Sequence, residues 1–254
     1  MGNRSGDKPP SWSNQISIIL VRPENEGNIG AISRVLMNFG MTNLRVVRPC
    51  PELTEIGYKR AKHAGDILER IEYFDDLESA ISDMSFVAGT SGKRESGEKI
   101  AHRHFILPSE LPSRIPESYG NVAIIFGPEG KGLLNYELRV CDALVTIPTW
   151  EGYPIMNLSH AVSIICYEWY KKREDTLTIT RDRSLNPELR SRFRDEVSRL
   201  VGNSPIQEHK KKSSEDTLNR IVMKGMPKDD EITRILSLIT ASADSLATKL
   251  ILAE

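Results

Sequence analysis

Between Ile16 and Tyr170 the chain alternates short runs rich in β-branched residues with helical patterns, and this alternation restricts the possible folds more than any other feature. The runs are Ile16–Val21, Leu44–Arg48, Ser85–Gly89, Val122–Phe126 and Ala143–Ile147. They carry Val and Ile with little polar interruption, as strands buried on both faces do. Helical patterns separate them at Ile29–Phe39 (closed by Gly40), Ile56–Arg70, Asp75–Asp83 and Asn135–Cys141. This order predicts an α/β domain with a mostly parallel sheet covered by helices. The block closes on a helix where Leu158, Ala161, Val162, Ile165 and Trp169 recur at helical spacing, with Asn157 placed to cap it.

After Lys171 the character changes. Residues 174–186 mix charge with Thr and Ser and read as a linker. Helical patterns over Pro187–Val201, Glu215–Lys224 and Asp229–Leu250, without strand signals, predict a small helical extension. The expected organisation is a flexible start over 1–14, an α/β domain over 15–173, a linker over 174–186 and the extension over 187–254. The net charge is −1, so bulk electrostatics offer no pull toward nucleic acid. The charge is unevenly spread, however. From Arg181 to Lys228 there are 12 Lys or Arg against 7 Asp or Glu, whereas residues 1–170 hold 17 basic and 21 acidic residues. Lys210, Lys211 and Lys212 form the densest basic run, which reads either as a solvated linker or as a contact for a phosphate backbone.

Several classes are disfavoured. Aromatic content of 6% argues against a binder built mainly on base-stacking platforms. Cys50, Cys141 and Cys166, an odd set without paired spacing, argue against a disulfide framework or zinc site and fit a reducing compartment. His102 and His104 lack an acidic or cysteine cluster, so no metal is expected. Ser159 and Ser163 have no His–Asp companions, so a hydrolase is not supported. No apolar run approaches the roughly 20 residues needed to span a bilayer. The polar start lacks a signal-peptide core, and a cytoplasmic protein is expected.

Three loops follow predicted strands, where open α/β sheets place their ligands. The first, Arg22 to Gly30, runs into a helix, but Gly27 and Gly30 lack the dinucleotide-binding spacing. Arg34 stands in that helix among Ile32, Val35 and Leu36, either as a snorkelling or ion-paired side chain or as a functional one. The second, Phe126-Gly127-Pro128-Glu129-Gly130-Lys131-Gly132-Leu133, fails the phosphate-loop pattern because Gly132 follows Lys131. Its glycines permit either close backbone approach to a flat ligand or a tight surface turn. The third, Ile147 to Asn157, carries Trp150 and Tyr153 and reads as a binding surface or as a lid over the core.

Together the loops resemble the three motifs of the SPOUT class of RNA methyltransferases. Motif one is similar to Asn28-Ile29-Gly30-Ala31-Ile32-Ser33-Arg34, and motif two to Phe126 through Leu133. Motif three is similar to Ile147-Pro148 followed by Met156-Asn157-Leu158-Ser159-His160-Ala161-Val162. Within the class the chain resembles the TrmJ branch, through Val21-Arg22-Pro23, Leu44-Arg45-Val46-Val47 and Ala88-Gly89-Thr90-Ser91, and more loosely through Thr217 to Ile221 and Asp230-Glu231-Ile232 in the tail. The resemblance implies a sheet whose C-terminal part threads a trefoil knot, and a homodimer with both subunits' motifs near the interface. It implies S-adenosylmethionine held by Thr90, Ser91 and Gly92 on one side, and by Gly127, Glu129, Ile147, Pro154, Ile155 and Met156 on the other. Pro154 and Ile155 replace the serines common in bacterial relatives, which leaves backbone contacts there. Arg34 falls on the family's catalytic arginine, with Asn28 supporting it and Asn157 fixing the third motif. A guanidinium does not readily accept a proton near neutrality, so Arg34 is expected to orient the ribose or phosphate and to stabilise a developing alkoxide. The implied reaction is methylation of a ribose 2′-hydroxyl of tRNA, at cytidine 32 of the anticodon loop, with Arg22 and Lys210, Lys211 and Lys212 contacting RNA. The alternatives are a sibling enzyme acting on ribosomal RNA and a non-catalytic RNA-binding module.

Overall fold

A computed structural model describes residues 8–48, 51–92, 105–174 and 185–251. In chain order the α/β part contains β1 (Ile16–Val21), α1 (Glu26–Asn38), β2 (Asn43–Val47), α2 (Glu55–Ala61), α3 (Gly65–Glu69) and β3 (Glu72–Phe74). It continues with α4 (Leu77–Ala80), β4 (Phe86–Thr90), β5 (Phe105–Ile106), α5 (Leu111–Arg114), β6 (Val122–Phe126), α6 (Asn135–Arg139), β7 (Ala143–Val145) and α7 (Leu158–Glu174). The extension adds α8 (Pro187–Asn203), α9 (Glu208–Lys224) and α10 (Asp229–Ile251).

The sheet has seven strands in the order β3-β2-β1-β6-β4-β7-β5. Every pairing is parallel. The unbroken apolar runs follow from its double burial. On β1, Ile16, Ile18 and Leu20 join one apolar cluster while Ile19 and Val21 join another on the opposite face. β6 divides likewise, Val122, Ile124 and Phe126 against Ala123 and Ile125. The first face is covered by α1 and α7, whose Ile29, Ile32, Leu36, Val162, Ile165 and Trp169 are almost fully buried.

Three sequence expectations are corrected. The single helix expected over 56–70 is two, because the backbone turns at Lys62 with φ of 56° and ends α2. The edge strands β3 and β5 were not expected; β3 is mostly exposed and β5 is only two residues long, so neither gives a run long enough to read as a strand. The flexible start does not reach residue 14, since Ser11–Gln15 forms a 3-10 turn that buries Trp12 against Tyr170. Cys50, His102 and His104 lie outside the described residues. Cys141 and Cys166 are free and buried, and burial pushes the Cys141 thiol up to about 12. No described helix is long and apolar enough to cross a membrane.

The extension is anchored by a buried carboxylate. Asp142, with no exposed side-chain surface, receives Arg190 at 2.9 Å and Arg194 at 2.6 Å. It also accepts the Val87 N–H at 2.8 Å. Phe193 and Val197 of α8 and Ile232 of α10 are fully buried beside this cluster. Asp142→Ala should therefore cost about 3–5 kcal/mol by urea unfolding, since Arg190 is left buried without a counter-charge. Asp83→Ala, at the half-exposed partner of Arg45, should cost under about 1 kcal/mol.

Candidate active site

Because every strand runs the same way, the loops leaving β1, β4, β6 and β7 emerge at one edge of the sheet. The β1–β6 pairing sets Leu20 opposite Phe126, so the first two glycine loops start side by side. In the first, Asn25 caps α1 by accepting the Gly27 N–H at 2.7 Å. Glu26 accepts the Thr54 and Gly57 N–H groups and the Thr54 hydroxyl, and these bonds hold its carboxyl below the usual range, the Thr54 N–H foremost. Gly30 serves packing here. A Cβ there would lie 2.1 Å from the Gly57 carbonyl oxygen, where α2 crosses α1.

The second loop folds back on itself. The Gly132 N–H bonds the Pro128 oxygen at 2.9 Å, and Gly132 has φ of 66°. A Cβ on Gly127 would meet Gly132 C and Leu133 N at 2.2 Å, so only glycine allows this close backbone cradle. Two carboxylates then lock the loops together. Glu129 accepts Asn28 Nδ2 at 2.7 Å and the Glu24 N–H at 2.8 Å. Glu137, 1% exposed, accepts both terminal nitrogens of Arg22 and the Leu134 N–H. Burial alone would push the Glu137 carboxyl up; the Arg22 and Leu134 hydrogen bonds outweigh that and carry it below its ordinary value.

The third loop closes with the Tyr153 N–H on the Trp150 oxygen and the Thr149 hydroxyl on the Pro154 oxygen, both at 3.0 Å. Asn157 Oδ1 accepts the Ser159 N–H at 2.9 Å and the Ser159 hydroxyl at 2.8 Å, capping α7. Trp150 and Tyr153 stand out at 78% and 80% exposure, which favours a surface over a lid.

The second and third loops and the end of β4 surround a cavity of about 430 Å³, which the first loop braces from behind through Glu129, within the size range of small-ligand sites. Thr90, Ser91, Gly92, Gly127 and Glu129 line it, and so do Ile147, Pro154, Ile155 and Met156. Sequence reasoning missed Leu134 and Leu138, which also line it; their i, i+4 spacing at α6 was the available signal. Arg34 is elsewhere. It is exposed, does not line the cavity, and makes no ion pair or hydrogen bond among the described residues. Asn28 reaches the cavity wall only through Glu129.

The residues expected to touch RNA fare differently. Arg22 is committed to Glu137 and acts as a structural tie. Lys211 bonds the Gly202 oxygen and Glu208, and Lys212 pairs with Glu215 and Asp216, whereas Lys210 is exposed. Among the described residues no group of three or more His, Cys, Asp or Glu could hold a metal ion.

Residues 15–167 match the SpoU rRNA Methylase family. The chain is 39% identical over 230 residues to the tRNA (cytidine-2′-O-)-methyltransferase TrmJ of Methanocaldococcus jannaschii, covering 87% of this chain and 97% of that protein. It is 28% identical to the protein of the same name from Sulfolobus acidocaldarius, covering 92% and 96% respectively. Among solved structures, TrmJ from Z. mobilis superposes with a TM-score of 0.69 at 25% identity, covering 90% of this chain and 98% of that one.

The clamp between the first two loops makes a testable contribution to stability. Arg22→Met should destabilise the protein by about 2–4 kcal/mol near pH 7, somewhat less than a fully buried pair because Arg22 keeps some water contact. Since the folded Glu137 carboxyl lies low, the pair's contribution is complete above the ordinary carboxylate value of about 4.3 and is lost as pH falls through the lower folded value. Urea unfolding from pH 7 down to pH 3 should show the gap between the two proteins shrinking below about pH 4.

Proposed function

For a chain that belongs to the SpoU rRNA Methylase family, we propose methyl transfer from S-adenosylmethionine to a ribose 2′-hydroxyl of tRNA, at nucleotide 32 of the anticodon loop, with cytidine as the target base. One observation carries the reading: the second and third motif loops and the end of β4 form one cavity whose walls include every residue the resemblance assigns to the methyl donor. Relatives matched over nearly their whole length are named for tRNA, which favours tRNA over ribosomal RNA. The absence of a Cβ at Gly127 and the cavity's mixed lining suit a flat heterocycle joined to a polar tail. The donor supplies an activated methyl on a sulfonium.

The protein's own groups then bind and orient. The backbone of Gly127, Ile147, Ile155 and Met156 holds the donor, with Thr90 fixed by its hydroxyl on the Ile125 oxygen at 2.9 Å. Glu129 holds Asn28 and the first loop against the second. Arg34, exposed on its helix and unpaired among the described residues, is available to grip ribose or phosphate and to stabilise negative charge growing on the attacked oxygen. Positioning for in-line attack contributes much of the acceleration. We extend the proposal to a homodimer, to a trefoil knot in the C-terminal part of the sheet, and to a tRNA-contacting role for residues 187–254. Arg34 lies outside its own cavity, and Trp150, Tyr153, Ile155 and Tyr167 are exposed apolar groups on the third loop and α7. A second copy covering that face would bury them. Lys210 and the unpaired cations of α9 would supply the phosphate contacts.

With labelled S-adenosylmethionine and unmodified tRNA, label should map to the anticodon loop, and Arg34→Ala should lower kcat by about 100-fold or more. Label on ribosomal RNA and on no tRNA, from a folded protein that binds the donor, would overturn the substrate assignment. Sedimentation should give twice the chain mass, and Trp150→Glu with Tyr153→Glu should shift it toward the monomer. A wild-type monomer at working concentration would remove the dimer from the proposal.

A further inference from the structure

A second cavity, of about 380 Å³, lies between α9 and the sheet edge formed by β4, β5 and β7. It shares Leu138 with the first and is otherwise lined by different residues. Its floor is apolar: Phe86, Ile106 and Met226, of one apolar cluster, are each buried beneath it. Its rim is cationic, with Arg114 and Arg139 on the α/β side and Lys212, Arg220 and Lys224 on α9. The last three share one helix face, being spaced at multiples of four.

The carboxylates present cancel only part of this charge: Glu110 pairs with Arg114 at 3.6 Å and Glu215 with Lys212 at 3.5 Å. Asp142 is already held by Arg190 and Arg194. Asp216 stands between Arg139 and Lys212, each at 3.6 Å. Arg220 and Lys224 make no ion pair or hydrogen bond among the described residues. A concave apolar floor under two unpaired cations, in a chain whose net charge is −1, is suited to a ligand with a flat apolar body and a dianionic end. Inorganic phosphate would use only the rim. A carboxylate would bring one charge where the site offers two partners, while a phosphate brings close to two and matches the guanidinium fork.

We infer that this cleft is a binding site for a nucleoside monophosphate unit, its base on the Phe86–Ile106 floor and its phosphate on Arg220 and Lys224. The unit is either a free mononucleotide or the 5′-phosphorylated end of a single strand. The site is separate from the methyl-transfer cavity, so the test reads binding alone.

Calorimetric titration would compare uridine 5′-monophosphate, a 5′-phosphorylated hexauridylate strand, uridine and inorganic phosphate. The proteins are wild type, Arg220→Ala with Lys224→Ala, and Ser213→Trp. Ser213 is an exposed α9 position that lines the cleft, so tryptophan there fills the cleft without removing charge. Uridine 5′-monophosphate should bind wild type and weaken about tenfold or more in both variants. Weakening of the strand alone by both variants supports the site with RNA as the source. Loss in the charge variant with none in Ser213→Trp would show a surface phosphate patch and overturn the proposal. So would binding unchanged in both variants, or no binding by either nucleotide probe. Lys224→Ala alone, at an exposed position, carries the charge arm should the double variant lose helix content by circular dichroism.

Discussion

The parallel pairing of β1 with β6 at the centre of the sheet is the constraint on which the site depends. Two strands separated by a hundred residues leave the sheet at the same edge, so their loops must share space. Shared space alone would leave them mobile. Glu129 and Glu137 remove that freedom, each bridging the first loop to the second with both carboxylate oxygens engaged. A buried carboxylate is tolerated only when paired and hydrogen-bonded, and here the pairing is what shapes the cavity.

The same logic governs the extension. Its excess of basic residues looks in the sequence like one reservoir of positive charge. In the structure it is divided by burial. Arg190 and Arg194 are spent on Asp142, and Arg199 on Glu196 and Asp244, which fasten α8 to the α/β part and to α10. Arg220 and Lys224 are left for a ligand, on the face of α9 that looks onto the second cavity. The two cavities thus sit on either side of Leu138, one walled by backbone loops and one by a charged helix face.

Much of the fold was legible because burial on both faces leaves an unmistakable trace. Ile16–Val21 and Val122–Phe126 were placed with their observed limits, since an apolar run without alternation has few other uses. The edge strands β3 and β5 left no such trace, because the exposed residues of β3 accept polar side chains and the two residues of β5 are too few to show a pattern. The break at Lys62 was equally silent: the apolar spacing continues through it, and a positive φ at a lysine leaves no mark on the pattern.

What the sequence by itself determined was the order of elements, the three glycine loops and their resemblance to a methyltransferase family, because local pattern and motif spacing are properties of the chain. Tertiary structure alone decided which charges are available. Arg22 and Arg34 are twelve residues apart and chemically alike, yet one is locked on a buried glutamate and the other is exposed without a partner among the described residues. Their fates depend on what lies across the sheet edge at Glu137, over a hundred positions away, and no local pattern carries that information.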